Sequence, residues 1–355
     1  MKKLFLGVVA IAAMIGCAKE QIVKSQAPAA ISFENAFVQG NSSKPVRAAV
    51  DPSFTTDAEN AIDAFDVWGF MGENTGVVFE AERVTKNTEG KWVYANLAYW
   101  APSKHYYFAA LAPVDHSNVV VKLADNEKYM KAEGLGTVEF TNLDGTDDLV
   151  YAEADVLTEP TIAAQPAPVK LTFKHLLSKV KFTFKNGFSN PNNYLEVKNI
   201  EMVVPNFGTI DLTQKPFAWV VKEGEKTVAL KFGDITGEAG NTKIAVVANE
   251  AKGGECADER LTIPVATTPT LKAVYEITFD VVLYQGTEVA YEGKKKTVIE
   301  GVTLEPGKAY NFTATLNHKN VGGEELYPIE FTVEVDKWVD GNILDGGVID
   351  TETVK

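Results

Sequence analysis

The side chains that could catalyse a reaction or hold a metal are few in this sequence, and their spacing favours no catalytic or metal site. The acidic residues Asp144, Asp147 and Asp148 miss the spacing of a calcium-binding loop, so a solvated turn is favoured there. No phosphate-binding loop and no nucleophile motif occurs. None of the histidines has the His-x-x-x-His spacing of a zinc site: His105, His116, His175 and His318. The sequence therefore predicts that the chain is not an enzyme and that it binds no cofactor or metal.

The two cysteines stand in very different surroundings. Cys17 closes an apolar stretch at residues 4–15 that follows two lysines, which is the pattern of a signal peptide. Its 12 residues are too few to span a bilayer comfortably. The end of this stretch resembles a lipoprotein box in which Met14 replaces the commoner leucine, so residues 1–17 are predicted to be a lipoprotein leader with Cys17 as the lipidated residue, for example by palmitate. The alternative is an ordinary signal peptide. Cys256 is then left without a disulfide partner and is interpreted as structural or incidental.

Length and charge restrict the class of protein further. The 355 residues are enough for two domains, and the hydrophobic fraction of 45% is enough for a real core. The net charge of −14 disfavours nucleic acid as a partner.

Alternation of apolar and polar residues predicts an all-β chain, beginning with a strand that carries Ile31, Phe33 and Phe37 on one face. A polar loop follows and is succeeded by Arg47, in the kind of exposed position where proteases cut. More short strands start near Ala64. A proline-rich stretch predicts a domain boundary, which gives domains at 48–168 and 169–355.

The last strongly patterned segment has an apolar face of Ile329, Phe331, Val333 and Val335, and its other face is largely acidic. Such a strand is suited to adding itself to the sheet of another molecule. A weaker pattern continues to residue 349, so the predicted donor strand covers 329–349.

Four stretches follow one another along the chain: YWAPSKHYYFAALAP at 99–113, LTFKHLLSKV at 171–180, LEPGKAY at 304–310 and VDKWVD at 335–340. Taken in this order, they resemble the fimbrillin family, the subunits of type V pili of the Bacteroidetes. The resemblance implies two tandem transthyretin-like Greek-key β-sandwich domains after a propeptide at 18–47.

The resemblance also implies a life cycle. The precursor travels to the outer membrane as a lipoprotein, and an arginine-specific or trypsin-like protease cuts after Arg47, so that Ala48 begins the mature chain. The removed strand, with Ile31, Phe33 and Phe37, leaves a groove that the donor strand of a neighbouring subunit fills. Because residues 1–47 contain six basic and two acidic side chains, cleavage changes the net charge from −14 to −18.

The function implied is that of a structural pilin in a surface fimbrium that supports cell adhesion. Its expected partners are other pilin subunits, in a homopolymer or a mixed filament, the processing protease, and the outer membrane before cleavage; the adhesion ligand stays open. The alternative is a lipoprotein that remains anchored, as a pilus base or tip subunit or as a glycan-binding module that uses exposed aromatic residues.

Overall fold

The computed structural model describes residues 29–38, 62, 64–72, 76–114, 116–124, 134–158, 167–221, 227–236, 243–245, 253–265, 273–322, 327–337 and 351–353. Every regular element of more than one residue in these ranges is a β-strand, which confirms the all-β prediction. None of the residues described belongs to a helix with the length and apolar character needed to cross a bilayer.

Within the described ranges, sheet I has seven strands and carries the first described strand at its edge. Across the sheet they are β1 (Phe33–Val38), β9 (Val169–His175), β8 (Val150–Leu157), β5 (His105–Ala112), β2 (Ala64–Met71), β3 (Gly76–Lys86) and β4 (Trp92–Val93). β1 runs parallel to β9, and all other neighbours are antiparallel. In β9, buried Val169, Leu171 and Phe173 alternate with more exposed residues, as expected of a strand with one face on a core.

Sheet II has four strands and packs against one face of sheet I. Across the sheet they are β13 (Trp219–Val220), β12 (Phe207–Asp211), β7 (Gly136–Thr141) and β6 (Val119–Leu123). The core between the two sheets includes Trp68 and Leu111 from sheet I with Phe140 and Ile210 from sheet II.

Sheets III and IV pack on each other around a separate core. Sheet III contains β14 (Thr227–Lys231), β11 (Asn193–Pro205), β19 (Val274–Gln285) and β20 (Glu288–Glu300), and β16 (Ile244–Ala245) also pairs with β11. Sheet IV contains β15 (Ile235–Thr236), β17 (Gly254–Cys256), β10 (Ser178–Asn186), β21 (Lys308–Leu316), β22 (Phe331–Lys337) and β23 (Thr351–Thr353), and β18 (Arg260–Thr262) also pairs with β10. Phenylalanines from both sheets, such as Phe182, Phe279 and Phe312, fill this core.

The second face of sheet I has a third core, which includes Phe65, Phe79 and Phe108. Among the residues described, the segments 29–33 and 92–100 supply buried or packed side chains to it from outside the central strands. The first strand of the chain is therefore part of the cover of an apolar sheet face.

Two structural findings move the domain boundary predicted at residue 168. β9 begins at Val169, yet it pairs with β8 and places its apolar residues in the core of sheet I. The boundary therefore falls after Leu177, which still belongs to the core between sheets I and II. The prolines precede β9, and the local sequence did not show that β9 returns to pair with β8 in the same sheet.

The chain also returns to the first pair of sheets after it has begun the second pair. β11 ends at Pro205 and β12 begins at Phe207, so one long run passes from sheet III into sheet II with a bend at Asn206. Asn142 N–H donates to the carbonyl of Asn206 at 2.6 Å and helps to fix that bend. The second half of the chain therefore contributes strands to sheets I and II, which the simple tandem arrangement 48–168 and 169–355 does not include; the Greek-key order stays a prediction.

One turn occurs twice, before β5 and before β21. In the first turn, Ala101 N–H donates to the hydroxyl of Tyr106 at 2.7 Å. In the second, Glu305 N–H donates to the hydroxyl of Tyr310 at 2.8 Å. The two turns share a buried apolar residue, a proline, a lysine and the tyrosine, in WAPSKHY at 100–106 and LEPGKAY at 304–310. Each buried tyrosine thus ties the entry of a central strand to the loop before it.

Candidate functional site

The first described segment, residues 29–38, lies between two backbone edges, and the first of these is the loop at 98–100. Ile31 N–H donates to the carbonyl of Ala98 at 2.8 Å. Trp100 N–H donates to the carbonyl of Ala29 at 3.0 Å. The segment is therefore bonded to this loop in the manner of a short antiparallel pair.

The second edge is β9. Val169 N–H donates to the carbonyl of Ser32 at 2.7 Å, and the parallel ladder then runs from the pair Phe33–Val169 to the pair Val38–Phe173. The register shifts between the second and fifth residues of β1, so the ladder is interrupted. We name the space that residues 29–38 occupy between these two edges the slot.

The side chains that enter the slot are Ile31 and Phe33, with 1% and 5% of their surface exposed. Fully burying each such side chain contributes roughly 1.5–3 kcal/mol. The Phe33 ring contacts four aromatic rings, with centroid distances of 5.7 Å to Phe65, 5.8 Å to Phe79, 5.9 Å to Tyr94 and 6.2 Å to Phe108. Edge-on contacts of this kind add to the area buried. Both residues were predicted to belong to the removed strand, and the structure places them in one apolar site.

Tyr94 closes the slot from the side of the loop. Its hydroxyl donates to the carbonyl of Ile31 at 2.5 Å, and its ring packs against Phe33 and Phe79. Burial raises the pKa of Tyr94, so the hydroxyl stays a donor at neutral pH.

Glu82 holds the loop in place. Its carboxylate accepts hydrogen bonds from the backbone N–H of Ala95 and Asn96, at 3.0 and 2.9 Å, and from the Asn96 side chain at 2.7 Å. Burial acts to raise the pKa of this carboxyl, but the hydrogen bonds from Asn96 and Ala95 outweigh it and lower the pKa. The loop edge of the slot is thus fixed independently of residues 29–38.

This loop edge was missed by sequence reasoning. The residues 98–100 pair with the first strand over too few positions to leave an alternating pattern. The stretch at 99–113, which contributes to the family resemblance, is their only signal in the sequence, and it did not indicate that they pair with the first described strand.

Removing residues 29–38 would uncover an apolar floor and two strips of unpaired backbone. Uncovered apolar surface and unpaired N–H and C=O groups both favour the entry of another strand. An emptied slot would thus expose the apolar and backbone groups that residues 29–38 now cover and pair with.

The predicted donor strand lies in its own core over its first half. Phe331 and Val333, in β22, are 3% and 2% exposed, and Ile329 is also buried, whereas Val335 is 38% exposed. β22 pairs with β21 over seven consecutive residues. The Phe331 ring lies 5.7 Å from that of Phe182 in the core of sheets III and IV. The use of Ile329, Phe331, Val333 and Val335 as donors stays a prediction, and it would require this core to be opened.

Several predicted residues lie outside the described ranges. Cys17, Arg47 and Ala48 belong to this group, as do residues 338–349 of the predicted donor. Phe37 lies in β1, and its backbone is paired with Thr172 of β9.

The remaining polar candidates have structural positions. Cys256 is half-buried in sheet IV and accepts a hydrogen bond from Phe182 N–H at 3.2 Å, and burial raises the pKa of its thiol to about 12. His175 is buried beside Asp148, with 2.8 Å between Nδ1 and Oδ2. No group of three or more His, Cys, Asp or Glu within the described ranges has a geometry that could hold a metal.

The aromatic residues considered for sugar binding do not share an exposed face. Trp100 and Tyr106 are buried, and Tyr94 packs inside the slot, whereas Tyr99 is half exposed. These rings pack mainly in the core, as is common for aromatic residues on strands.

Comparison with known proteins identifies the family. The profile described as fimbrillin-like matches residues 47–338. No curated protein shows significant similarity to the chain. A crystal structure of a fimbrial protein from Bacteroides vulgatus is similar in fold, with a TM-score of 0.54 and 14% identity over 87% of this chain and 99% of the other. A candidate cell adhesion protein from Parabacteroides distasonis aligns with a TM-score of 0.50 and 7% identity over 90% of this chain and 99% of the other.

At these identities the two solved structures support the fold alone. The profile, in contrast, spans well over half of the chain, including sheet I from β2 onward and the whole of β21 and β22 up to Lys337. The chain therefore belongs to the fimbrillin-like family.

Proposed function

We propose that this chain is the precursor of a structural pilin, and that strand exchange at the slot drives its polymerisation into a surface fimbrium that supports cell adhesion. The observation that carries the proposal is the position of residues 29–38. They fill an apolar slot between two backbone edges, and they precede Arg47, so one cut after Arg47 would detach them from the rest of the chain. A structural rather than catalytic role agrees with a site made of apolar side chains and backbone groups.

The distribution of arginine supports cleavage at that point. The chain has 31 lysines but only three arginines, at positions 47, 83 and 260. Arg83 lies in β3 and pairs with Asp66 at 2.6 Å, and Arg260 lies in β18 and pairs with Asp258 at 3.0 Å. Both residues are in strands that are already paired with neighbouring strands, so a protease cannot take up this part of the chain. An arginine-specific enzyme would thus have one favourable site, and Ala48 would begin the mature subunit.

Within the predicted donor range 329–349, we place the exchanged part beyond Lys337. Withdrawing residues 329–337 would remove three buried apolar side chains from the core, those of Ile329, Phe331 and Val333, at roughly 1.5–3 kcal/mol each. Among the described residues, releasing the segment after Lys337 breaks the ladder between β22 and β23, which has three residue pairs. Insertion into the next subunit is head-to-tail, an arrangement that need not close on itself and can extend into a filament.

Lipidation of Cys17 completes the proposal. A lipid holds the precursor at the outer membrane until cleavage separates the leader and propeptide, 1–47, from the subunit. A precursor that is never cut would remain a membrane-anchored lipoprotein, which is the alternative role as a base or tip subunit.

The deciding experiment compares cells that produce wild-type chain, Arg47→Ala, Arg47→Lys and the control Lys44→Ala. We expect Ala48 as the N-terminus of sheared surface protein, and filaments by electron microscopy, in wild type and in Lys44→Ala. Arg47→Ala should accumulate uncut and form no filaments. Arg47→Lys separates an arginine-specific enzyme, which leaves it uncut, from a trypsin-like one. Filaments that persist in Arg47→Ala would contradict cleavage as the trigger.

A further inference from the structure

The slot contains more hydrogen-bond donors than acceptors once its resident strand is gone. Besides the ladder between β1 and β9, three groups donate to carbonyls of residues 29–32. They are the backbone N–H of Val169, the backbone N–H of Trp100 and the hydroxyl of Tyr94. In the opposite direction, Ile31 N–H donates to the carbonyl of Ala98.

A further donor faces the same core. The indole N–H of Trp100 is buried and has no hydrogen-bond partner in the part of the chain that the structure describes. Its ring lies 6.0 Å from that of Phe108, which also contacts Phe33. A buried donor without a partner is destabilising, so an occupant that brings an acceptor is favoured.

The β9 edge of the slot is positively charged. Lys170 and Lys174 are the exposed residues of this strand, and they alternate with its buried face. In the precursor, the register of the ladder sets Glu34 of β1 directly opposite Lys170. Residues 29–38 contain one acidic and no basic residue, so the resident strand already has the sign that this edge favours.

The segment between β22 and β23 has the same sign. Residues 338–350 contain Asp340, Asp345 and Asp350 and no basic residue. Their apolar residues are interrupted by glycines at 341, 346 and 347, so their apolar pattern is weaker than that of the resident strand. Recognition of this segment therefore depends more on charge than recognition of residues 29–38 does.

We propose that the emptied slot is selective for an acidic strand, and that Lys170 and Lys174 recognise residues 338–350 of a second copy of this chain. The inference rests on the proposed function. It explains how subunits with a net charge of −18 after cleavage can associate, because a local pair of opposite charges raises the rate of productive encounter despite overall repulsion. It also predicts the sign of the salt effect, because screening weakens such steering.

The test follows filament growth by light scattering and electron microscopy after an arginine-specific protease is added to the purified full-length precursor. It compares wild type with Lys170→Glu/Lys174→Glu and with the control Lys185→Glu/Lys319→Glu, which makes the same change in net charge at exposed sites away from the slot. We expect the slot variant to assemble about five- to tenfold more slowly than the control at low salt. The difference should shrink toward 1 M salt.

The charge swap makes the result decisive. Asp340→Lys/Asp345→Lys should assemble slowly by itself and should restore assembly when mixed with the Lys170→Glu/Lys174→Glu chain. Equal rates for the slot variant and the control, or no restoration by the swap, would overturn the charge recognition while leaving strand exchange intact. Failure of cleaved wild-type chain to assemble at any salt concentration would instead overturn the proposed function.

Discussion

Strands β1 and β22 bury similar side chains, but they are paired with their neighbours in different ways. β1 pairs in parallel with one strand at the edge of a sheet, and its ladder is interrupted. β22 pairs antiparallel with β21 over seven consecutive residues and has β23 on its other side. Burial alone therefore does not decide which strand can leave. The position of a strand at a sheet edge and the continuity of its ladder decide whether it can leave.

The largest effect should come from Phe331→Ala. The ring fills the core between sheets III and IV, so its loss should lower the free energy of unfolding by about 3–5 kcal/mol, both before and after cleavage at Arg47. Urea unfolding measures this, with Glu330→Ala, which changes an exposed side chain, as the control. If Phe331→Ala costs no more than its control, β22 is as detachable as β1 and the comparison is wrong.

Phe33→Ala should have a comparable effect that is confined to the precursor. The ring packs against four aromatic side chains, so local opening of residues 29–38 should become easier by about 3 kcal/mol or more. Hydrogen exchange followed by mass spectrometry should show faster exchange in this segment, with Ser32→Ala as the control. An equal loss of protection throughout sheets III and IV would mean that the first strand is not an independent unit.

Tyr94→Phe should have a smaller effect on the same segment. The substitution removes the hydrogen bond to the carbonyl of Ile31 and keeps the ring, so we expect a cost of about 1 kcal/mol. Exchange of residues 29–38 should then accelerate about fivefold. Tyr99→Phe is the control because its side chain is half exposed. Identical exchange in both variants would remove Tyr94 from the set of residues that retain the strand.

The last effect is absent at neutral pH and should be confined to alkaline pH and to the second pair of sheets. Burial raises the pKa of Tyr310 to about 12 from its ordinary value of 10. The contribution of the neutral hydroxyl is therefore complete below pH 10 and is lost as the pH rises from 10 to 12. Melting temperatures between pH 8 and 12 should fall more steeply for wild type than for Tyr310→Phe. Parallel curves would contradict this assignment.

Local patterns predicted the elements of this molecule better than their partners. The alternation of Ile31 and Phe33 identified a buried first strand, and that of Phe331 and Val333 identified a strand near the end. Neither pattern indicated that β22 belongs to its own core, because alternation shows which face is buried and not which sheet buries it.

The positions that sequence could not give are those fixed by contacts between distant residues. The loop at 98–100 forms one edge of the slot through only a few hydrogen bonds. Glu82 holds that loop by accepting hydrogen bonds from the backbone that follows β4. The prolines before Val169 predicted a boundary one strand too early, because β9, which follows them, pairs with β8 in the same sheet. Nothing in the local sequence marks the bend at Asn206 as a passage between sheets.

That passage has a consequence for how the protein melts. Because β12 and β13 come from the second half of the chain and complete sheet II, unfolding the second half would remove two strands from sheet II, and unfolding the first half would leave those two strands without partners. We therefore expect one cooperative calorimetric transition for the body of the molecule rather than two, with an enthalpy that matches the van't Hoff value. On heating, such a subunit would unfold as one unit, while the strand in the slot could still be replaced.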